Sequence, residues 1–297
     1  MTSIIVAGDV CEDSLLVGTA GRMSRETPGL PIVLVETTLT IDGGAAVPYR
    51  QAQALQADAY LIPTGRPALK SRLFAANDGT SREIARWDRP WPPQDAGTFR
   101  EIFRARPQAE VLLYSQVRRG APQAPIVKDC RSFKGLRVAD AHHPAYFPGF
   151  DALKIGLDDA WAAVRPPRPS RTPLRALEVA ESFASTYGYD LVVITLGASG
   201  YAAHWSGGQS IFDKGLQGGR RTAGAGDIFS ATLAVALAEK QEIKDALRLA
   251  NLAAGLACRK DEHLATVTRE ELDEHARLRE GHDLPGGGGA AAADRPG

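Results

Sequence analysis

Short apolar runs alternate with stretches of helical periodicity along this chain. Four such runs, each four or five residues long, lie at 4–7, 111–114, 136–139 and 191–195. Runs this short and continuous are typical of strands that are buried on both faces of a parallel sheet. Glycine or polar residues follow each run, and open α/β sheets bind ligands at the carboxyl ends of such strands. The pattern therefore predicts a ligand site along one edge of a parallel sheet.

Apolar residues with a helical spacing occupy the intervals between and after these runs. Helices are expected at about 45–55, 173–187, 227–238 and 243–258. Strands that alternate with helices predict an α/β fold, here a doubly wound, mostly parallel sheet.

Two segments break this rhythm. Residues 32–41 alternate β-branched with other side chains, and residues 71–87 have the pattern of a hairpin that turns at 77–79. We expect these segments to form a small β-flap, or lid, over the strand ends. Its two parts are expected at about 12–41 and 70–88.

Composition favours a single large domain. With 297 residues, of which 44% are hydrophobic, the chain can bury the core of one α/β domain. We expect that domain over residues 1–283. Residues 284–297 are mostly glycine and alanine, which cannot bury enough surface to fold, so a disordered tail is expected there. The Pro- and Arg-rich segment at 165–173 predicts a surface loop.

Charge and cysteine content limit the function classes. The chain has 35 Lys and Arg residues and 35 Asp and Glu residues. Because no overall positive charge would attract nucleic acid, a small molecule is the expected partner. Cys11, Cys130 and Cys258 are odd in number and lack C-x-x-C spacing, as expected for reduced thiols in the cytoplasm. No signal-peptide pattern opens the chain and no apolar run is long enough for a membrane span, so neither is expected.

The strongest chemical signal is a glycine turn directly before the apolar helix predicted at 227–238. The turn reads Gly224, Ala225, Gly226, Asp227. Two glycines at a helix N-terminus leave backbone N–H groups open to a phosphate, which the helix dipole also favours. A carboxylate beside phosphates is repulsive unless it accepts a proton from an attacking hydroxyl or works through a metal ion. Asp227 is therefore predicted to be a general base; the alternative is a helix-capping residue.

Two commoner glycine motifs do not fit this turn. Read as G-x-G-x-x-G, the string has Phe229 in place of the last glycine, and Asp227 stands where a dinucleotide pyrophosphate would lie. No G-x-x-x-x-G-K-[ST] sequence occurs in the chain, which excludes a P-loop.

Together with other motifs, this turn resembles the signature of the ribokinase-like, PfkB-type sugar kinases. The N-terminal third is most similar to heptose 7-phosphate kinases, through Gly8-Asp9-Val10, the segment at 21–33, Gly43-Gly44-Ala45-Ala46 and Lys70-Ser71-Arg72. The strand-end sequence Thr195-Leu196-Gly197-Ala198-Ser199-Gly200 matches further along. The resemblance spans about residues 4–268 and implies a ribokinase-like fold, ATP and Mg²⁺ as cofactors, and phosphoryl transfer to a sugar hydroxyl.

The resemblance also implies a role for each matched residue. Asp227 is the base, and the turn formed by Gly224, Ala225 and Gly226 is the anion hole. The acceptor sugar is bound by Asp9, Gly43, Gly44, Lys70, Arg72, Arg22 and Arg25. The nucleotide is bound by Thr195, Gly197, Gly200, Asn251 and Gly255, and Asp159 is the metal-binding acid. The plainer alternatives are solvated charges on the flap and ordinary core packing on the last helix.

The chain departs from the family pattern at several of these places. Val47 stands where the family has a sugar-binding Asn, and Gly156 replaces the amide of an N-x-x-E pair, so that Asp159 keeps the acid alone. Arg221 stands in the monovalent-cation element and is expected to supply a cation itself. His142 replaces a family Lys; because His142 and His143 are adjacent and point apart, a hydrogen-bonded role is expected rather than a metal site.

We expect an ATP-dependent kinase that acts on a sugar or sugar phosphate, with a heptose 7-phosphate as the best substrate. The departures keep open a degenerate kinase fold that binds nucleotide or sugar phosphate without turnover. A nucleoside or vitamin kinase is disfavoured, because Lys70 and Arg72 indicate an anionic acceptor. The flap would leave exposed strand edges and an apolar face, so a homodimer through the flap is expected.

Overall fold

The structure, a computed structural model, describes residues 1–77, 80–106, 108–164, 172–219 and 222–282. Within these ranges the chain forms twelve strands and eight helices. The strands are β1 (Ser3–Gly8), β2 (Val10–Met23), β3 (Pro31–Gly44), β4 (Asp58–Pro63), β5 (Ala68–Asn77), β6 (Thr80–Asp88), β7 (Val111–Ser115), β8 (Leu136–Asp140), β9 (Ala152–Gly156), β10 (Leu191–Thr195), β11 (Tyr201–Trp205) and β12 (Gln209–Asp213). The helices are α1 (Ala46–Ala54), α2 (Ala96–Arg104), α3 (Ala124–Arg131), α4 (Leu157–Ala163), α5 (Pro173–Tyr187), α6 (Ala225–Ala238), α7 (Ile243–Arg259) and α8 (Arg269–His282).

Eight of the described strands form one large sheet in the order β12-β11-β10-β9-β8-β7-β1-β4. Every neighbouring pair from β10 to β4 is parallel, and only β11 and β12 are antiparallel. The four predicted apolar runs are β1, β7, β8 and β10, and the predicted helices are α1, α5, α6 and α7. The doubly wound, mostly parallel fold is therefore confirmed.

Both faces of the large sheet are buried. Ile4 and Val6 of β1 join one apolar cluster, which α1, α6 and α7 cover, whereas Ile5 and Ala7 join a second cluster covered by α2, α3, α4 and α5. Helix α6 is apolar on every side because it lies between the sheet and its neighbours α1 and α7. No helix in the described part of the chain is long and apolar enough to cross a membrane.

The remaining four described strands form the flap, a separate sheet in the order β3-β2-β5-β6. Strands β2 and β3, and likewise β5 and β6, pair antiparallel, and β2 pairs with β5 in parallel. The flap grows directly from the carboxyl ends of β1 and β4 and so lies at the predicted ligand edge. The predicted flap is confirmed, although residues 78–79 at its hairpin tip lie outside the described residues. So do most of the predicted loop at 165–173 and the predicted tail at 284–297.

A buried ion pair links β2 and β5 within the flap, and His263 connects this pair to the body of the protein. Arg72 Nε lies 3.0 Å from Asp13 Oδ1, and these two side chains are only 14% and 5% exposed. Arg72 Nη1 also lies 3.0 Å from Glu83 Oε2, while His263 Nε2, from the segment between α7 and α8, lies 3.4 Å from Asp13 Oδ2. Burial alone would raise the pKa of Asp13, but the contacts with His263 and Arg72 outweigh it, and the pKa of this carboxyl is lowered.

Replacing Asp13 with Asn should therefore destabilise the protein, because it leaves the buried Arg72 and His263 without their shared counter-charge. We expect a loss of about 3 kcal/mol in the free energy of unfolding, measured by urea denaturation at neutral pH. Asp88→Asn is the matched control, since Asp88 pairs with Arg86 at the exposed surface of the same sheet. Equal losses in the two variants would contradict the anchoring role of Asp13.

Candidate active site

The glycine turn before α6 has the geometry of an anion hole. Gly224 has a φ of +81°, a conformation that favours glycine, and α6 begins at the next residue. The N–H of Ala225 donates to the carbonyl oxygen of Thr222 at 3.2 Å. Among the described residues, no backbone carbonyl accepts from the N–H groups of Gly226 and Asp227. These two donors at a helix N-terminus are available to a phosphate oxygen.

A buried cation lies directly beneath this turn. A Cβ atom at Gly226 would come within 2.5 Å of Lys154 Nζ, so the absence of a side chain there makes room for the ammonium group. Lys154 Nζ donates to both carboxylate oxygens of Asp140 at 3.0 Å, and Ser230 Oγ donates to Asp140 Oδ2 at 2.7 Å. No signal in the sequence pointed to Lys154. Its charge interrupts the apolar run of β9, and that strand was therefore not predicted.

Asp227 faces this cluster from the first turn of α6 and does not cap the helix. The N-cap residue is Gly224, and no side chain makes a capping hydrogen bond there. Ser115 Oγ, at the end of β7, donates to Asp227 Oδ1 at 3.4 Å. Burial, together with the negative charge of Asp140, raises the pKa of Asp227 to about 7, although Lys154 and Lys70 act in the opposite direction. A carboxylate with such a pKa can accept a proton near neutral pH.

Asp9 follows β1 at the same edge and is buried, with 3% exposure. Its Oδ1 atom accepts from Thr64 Oγ1 at 2.7 Å, Arg118 Nε at 3.0 Å and Gln94 Nε2 at 3.1 Å. Its Oδ2 atom is buried and has no hydrogen-bond partner. An unpaired buried carboxylate oxygen is costly, which suits a site where a ligand hydroxyl completes the bonding.

The glycines at 43 and 44 bring the end of β3 close to Asp9. Gly44 has a φ of +66°, and a Cβ atom there would come within 2.3 Å of the Asp9 carbonyl oxygen. A Cβ atom at Gly43 would come within 2.8 Å of Cys11 Sγ. Gly44 is therefore needed for the close approach of two backbone segments, and the N–H of Ala45 donates to the Asp9 carbonyl oxygen at 3.0 Å. Gly43 leaves room for the Cys11 side chain, and the approach of a sugar to these glycines stays a prediction.

The four predicted basic residues of the flap lie in different surroundings. Lys70 is half-buried, is close enough to Asp227 to lower its pKa, and has Nζ 5.3 Å from the ring centroid of Trp91. Arg72 is held by Asp13 and Glu83, as described above. Arg22 and Arg25 are exposed, and Arg22 lines a separate open cavity within the flap. The structure thus brings Lys70 to the site and does not bring the three arginines there.

The predicted nucleotide residues line a single cavity of ≈ 380 Å³ next to the glycine turn. They are Thr195, Gly197, Gly200, Asn251 and Gly255, and Ala225 and Gly226 of the turn line it as well. Asn251 Nδ2 donates to the Lys214 carbonyl oxygen at 2.8 Å, which holds the loop that forms one wall. A Cβ atom at Gly255 would come within 2.5 Å of Leu216 Cβ, so glycine is needed for this wall to close. Cys258 also lines the cavity.

Asp159, the predicted metal-binding acid, is paired with two cationic or potentially cationic side chains. His142 Nδ1 lies 2.8 Å from Asp159 Oδ2, and Arg119 Nη1 lies 3.3 Å from Asp159 Oδ1. His143 accepts a hydrogen bond from the N–H of Ala145. In the described ranges, no three His, Cys, Asp or Glu side chains come together as metal ligands. Arg221, the predicted extra cation, lies outside the described residues.

The part of the chain that forms this site matches a known protein family. Residues 118–268, half of the chain, match the family model described as pfkB family carbohydrate kinase. The chain belongs to the pfkB family of carbohydrate kinases. The match includes Lys154, the glycine turn and the cavity wall. The carbohydrate-kinase family that the sequence resemblance implied is therefore confirmed.

The curated relatives of this pfkB-family chain are longer proteins. It is 26% identical to the bifunctional protein HldE of Caulobacter vibrioides over 94% of its own length, and 28% identical to that of Halorhodospira halophila over 99%. These alignments cover 64% and 66% of the relatives. The chain thus spans about two thirds of the length of the relatives that it matches.

Solved structures support the ribokinase-like fold. Arabidopsis thaliana ribokinase, solved with ribose and ATP, superposes with a TM-score of 0.69 at 17% identity, covering 92% of this chain and 98% of the ribokinase. Phosphofructokinase-2 from Escherichia coli, solved with potassium, gives a TM-score of 0.75 at 12% identity, covering 94% of this chain and all of the other.

The raised pKa of Asp227 makes a prediction about stability. The folded state holds the Asp227 proton more tightly than the unfolded state, so the carboxyl stabilises the fold below about pH 4 and loses that contribution as the pH rises towards 7. Asp227→Asn removes the free-energy cost of ionising this buried carboxyl group. Its gain in the free energy of unfolding should be larger at pH 8 than at pH 5, by about 2 kcal/mol.

Urea denaturation of Asp227→Asn and wild type at both pH values measures this difference. Asp245→Asn, in the exposed first turn of α7, is the control and should show no pH-dependent gain. The same gain for Asp227→Asn at both pH values would mean that the pKa of Asp227 is not raised.

Proposed function

We propose that this carbohydrate kinase transfers the γ-phosphoryl group of ATP to a hydroxyl of a sugar phosphate, with a heptose 7-phosphate as the preferred acceptor. The observation that carries the proposal is the position of Asp227. Its carboxylate belongs to the turn that carries two open N–H donors, directly follows Gly226 of the glycine-lined cavity, and interacts with Lys70 of the flap. A base in this position faces donor and acceptor together.

Each group at the edge then has a chemical task. Asp227 accepts the proton of the attacking hydroxyl, which Asp9 Oδ2 helps to orient by accepting a second hydroxyl of the same sugar. The N–H groups of Gly226 and Asp227, with the Lys154 ammonium beneath them, stabilise negative charge as it develops on the phosphoryl oxygens. None of these groups has to move far, because each is held by a hydrogen bond or by helix geometry.

The cavity and the glycine turn fit a nucleotide. Gly226 and Gly255 both line this cavity, and the N–H donors of Gly226 and Asp227 at the start of α6 are open to a phosphate oxygen. A bound Mg²⁺ ion would neutralise charge on the β- and γ-phosphates. Because the described residues contain no ready cluster of metal ligands, we propose that the phosphates supply most of its coordination, with Asp159 as the acidic side chain of the protein that would join them.

Several observations support a phosphorylated acceptor. Lys70 is half-buried, close to Asp227 and, among the described residues, within 4.0 Å of no carboxylate. A cation left without a fixed counter-ion beside the reaction centre favours an anionic substrate. The heptose assignment rests on the N-terminal motifs around Asp9, Gly43 and Lys70. ATP use and three free cysteines suit a reducing compartment, and we place the protein in the cytoplasm.

Replacing Asp227 with Asn tests the proposed base. Asn keeps the size of the side chain but cannot accept the proton, so kcat should fall by about 10²- to 10⁴-fold. The affinity for ATP should stay within about threefold of wild type, since the N–H donors are retained. An assay of ADP release with a heptose 7-phosphate and with unphosphorylated sugars measures both turnover and acceptor preference.

The control is Asp245→Asn, which alters an exposed acid in the first turn of α7, outside the proposed site. If Asp227→Asn retains turnover, Asp227 is not the base. If wild type prefers unphosphorylated sugars, the sugar-phosphate assignment is wrong. If wild type binds ATP but phosphorylates no sugar of either kind, the chain is a degenerate kinase fold that binds without turnover.

We also propose that the protein is a homodimer through the flap. Eight of the eleven exposed large hydrophobic side chains in the described residues belong to the flap: Met23, Leu30, Ile32, Leu34, Val35, Leu39, Ile84 and Trp87. Isolated exposed apolar residues are common, but a concentration of this kind on one small sheet with two open edges marks an interaction surface. A second copy of the same flap is the simplest partner that covers it.

Leu34→Asp should weaken this dimer by about tenfold or more, because it places a charge at the centre of the apolar face. Sedimentation velocity over a range of protein concentrations measures the dissociation. Leu174→Asp is the control, since Leu174 is 66% exposed and lies on α5, away from the flap. A monomeric wild type, or identical behaviour of the two variants, would contradict the flap dimer.

A further inference from the structure

The indole ring of Trp91 lies close to two cationic side chains from different parts of the chain. Lys70 Nζ, from β5, is 5.3 Å from the centroid of the indole ring, and Arg118 Cζ, from the loop after β7, is 5.5 Å from it. Trp91 itself belongs to the segment that follows β6 and is half-buried. Three separate segments therefore converge on one aromatic ring beside the acceptor edge.

Arg118 is fixed in place by two further contacts. Its Nε atom donates to Asp9 Oδ1 at 3.0 Å, and its Nη2 atom donates to the carbonyl oxygen of Pro92 at 2.7 Å. The Arg118 side chain is 18% exposed, whereas the neighbouring Arg119 is 84% exposed. Among the described residues, Arg118 Nη1 has no hydrogen-bond acceptor. One N–H edge of this fixed guanidinium is therefore available to a ligand.

The charges and the bonding around Asp9 point to a ligand. Three donors share its Oδ1 atom, and its buried Oδ2 atom has none. Arg118 neutralises the Asp9 carboxylate, so the ammonium of Lys70 adds a positive charge to this part of the site. A sugar hydroxyl would satisfy Oδ2, an aromatic face suits the apolar side of a sugar ring, and the excess positive charge suits an anionic substituent.

We propose that Arg118 and Trp91, together with Lys70, recognise the acceptor, and that the acceptor is a monosaccharide carrying a phosphate group. Trp91 packs against the sugar ring, and Arg118 and Lys70, which both lie near the indole, bind the phosphate group. Arg118 also commits Asp9 Oδ1, so that Oδ2 alone receives a sugar hydroxyl. The inference rests on the proposed function and assigns the selectivity of its acceptor site to Arg118, which none of the sequence motifs contained.

The test measures binding without nucleotide, so it does not depend on turnover. Isothermal titration of wild type uses three probes: a heptose 7-phosphate, the same heptose without phosphate, and inorganic phosphate. Arg118→Gln should weaken the heptose phosphate by about tenfold or more and change the free heptose by less than about threefold. Trp91→Ala should weaken both sugars by about tenfold, because it removes the ring that they share. Arg119→Gln is the matched control and should change neither.

A selective loss distinguishes recognition from a purely structural role. If Arg118 only balances the charge of Asp9, Arg118→Gln weakens both sugars equally, and the inference is wrong. If Arg118→Gln does not fold, Arg118→Lys retains the charge without the fork, and a loss confined to the phosphorylated sugar is still expected. Inorganic phosphate that binds as tightly as the sugar phosphate would mean an anion site without sugar recognition, which also overturns the inference.

These outcomes separate the inference from the proposed function. Turnover of sugar phosphates with no effect of Arg118→Gln on their binding leaves the proposed function intact and removes Arg118 from recognition. Binding of no sugar phosphate by wild type, together with turnover of free sugars, overturns both the inference and the phosphorylated acceptor while leaving a carbohydrate kinase.

Discussion

The ion pair between Lys154 and Asp140 is the constraint on which the catalytic edge depends. The two residues are direct partners on neighbouring parallel strands, and Ser230 ties the pair to α6. The charges of Lys154 and Asp140 cancel each other. The carboxylate of Asp227 therefore adds a negative charge that this pair does not balance. Burial and the nearby Asp140 then raise the pKa of Asp227, while Lys154 keeps part of the charge balanced. The same ammonium explains Gly226, because a side chain there would displace it.

A second set of charges holds the flap in place and gives its basic residues different roles. Asp13 holds Arg72 and contacts His263 from the body of the protein, which commits Arg72 to structure. Lys70, two residues earlier on the same strand, is instead close enough to Asp227 to lower its pKa. Strand β2 begins directly after Asp9, so the flap and the buried carboxylate of Asp9 belong to one continuous stretch of backbone. A displacement of the flap would therefore move Asp9 and Lys70 together.

Local signals predicted the parts of this fold that local sequence determines. Continuous apolar runs identified β1, β7, β8 and β10, and the glycine turn before α6 identified the start of that helix. The same reasoning missed β9, because Lys154 breaks its apolar pattern, and it missed β4, whose residues are half exposed at a sheet edge. It could not find Arg118 or Gln94, which reach Asp9 only through tertiary packing. It also grouped Arg72 with Lys70, since spacing alone cannot show that one of them is paired with Asp13.

The departures from the family pattern follow a common physical logic. Val47, where the family has a sugar-binding Asn, is 1% exposed and joins the apolar core beside Gly224, so α1 offers the acceptor no polar side chain at that position. Arg118 reaches Asp9 from the loop after β7 and adds a charged donor on another side of the acceptor site. Likewise, His142 replaces a family lysine and bonds to Asp159, while Lys154 holds positive charge beneath the glycine turn. Polar groups that are lost from one strand end are thus balanced by groups from neighbouring strand ends, which is possible because all of them meet at a single edge of the sheet.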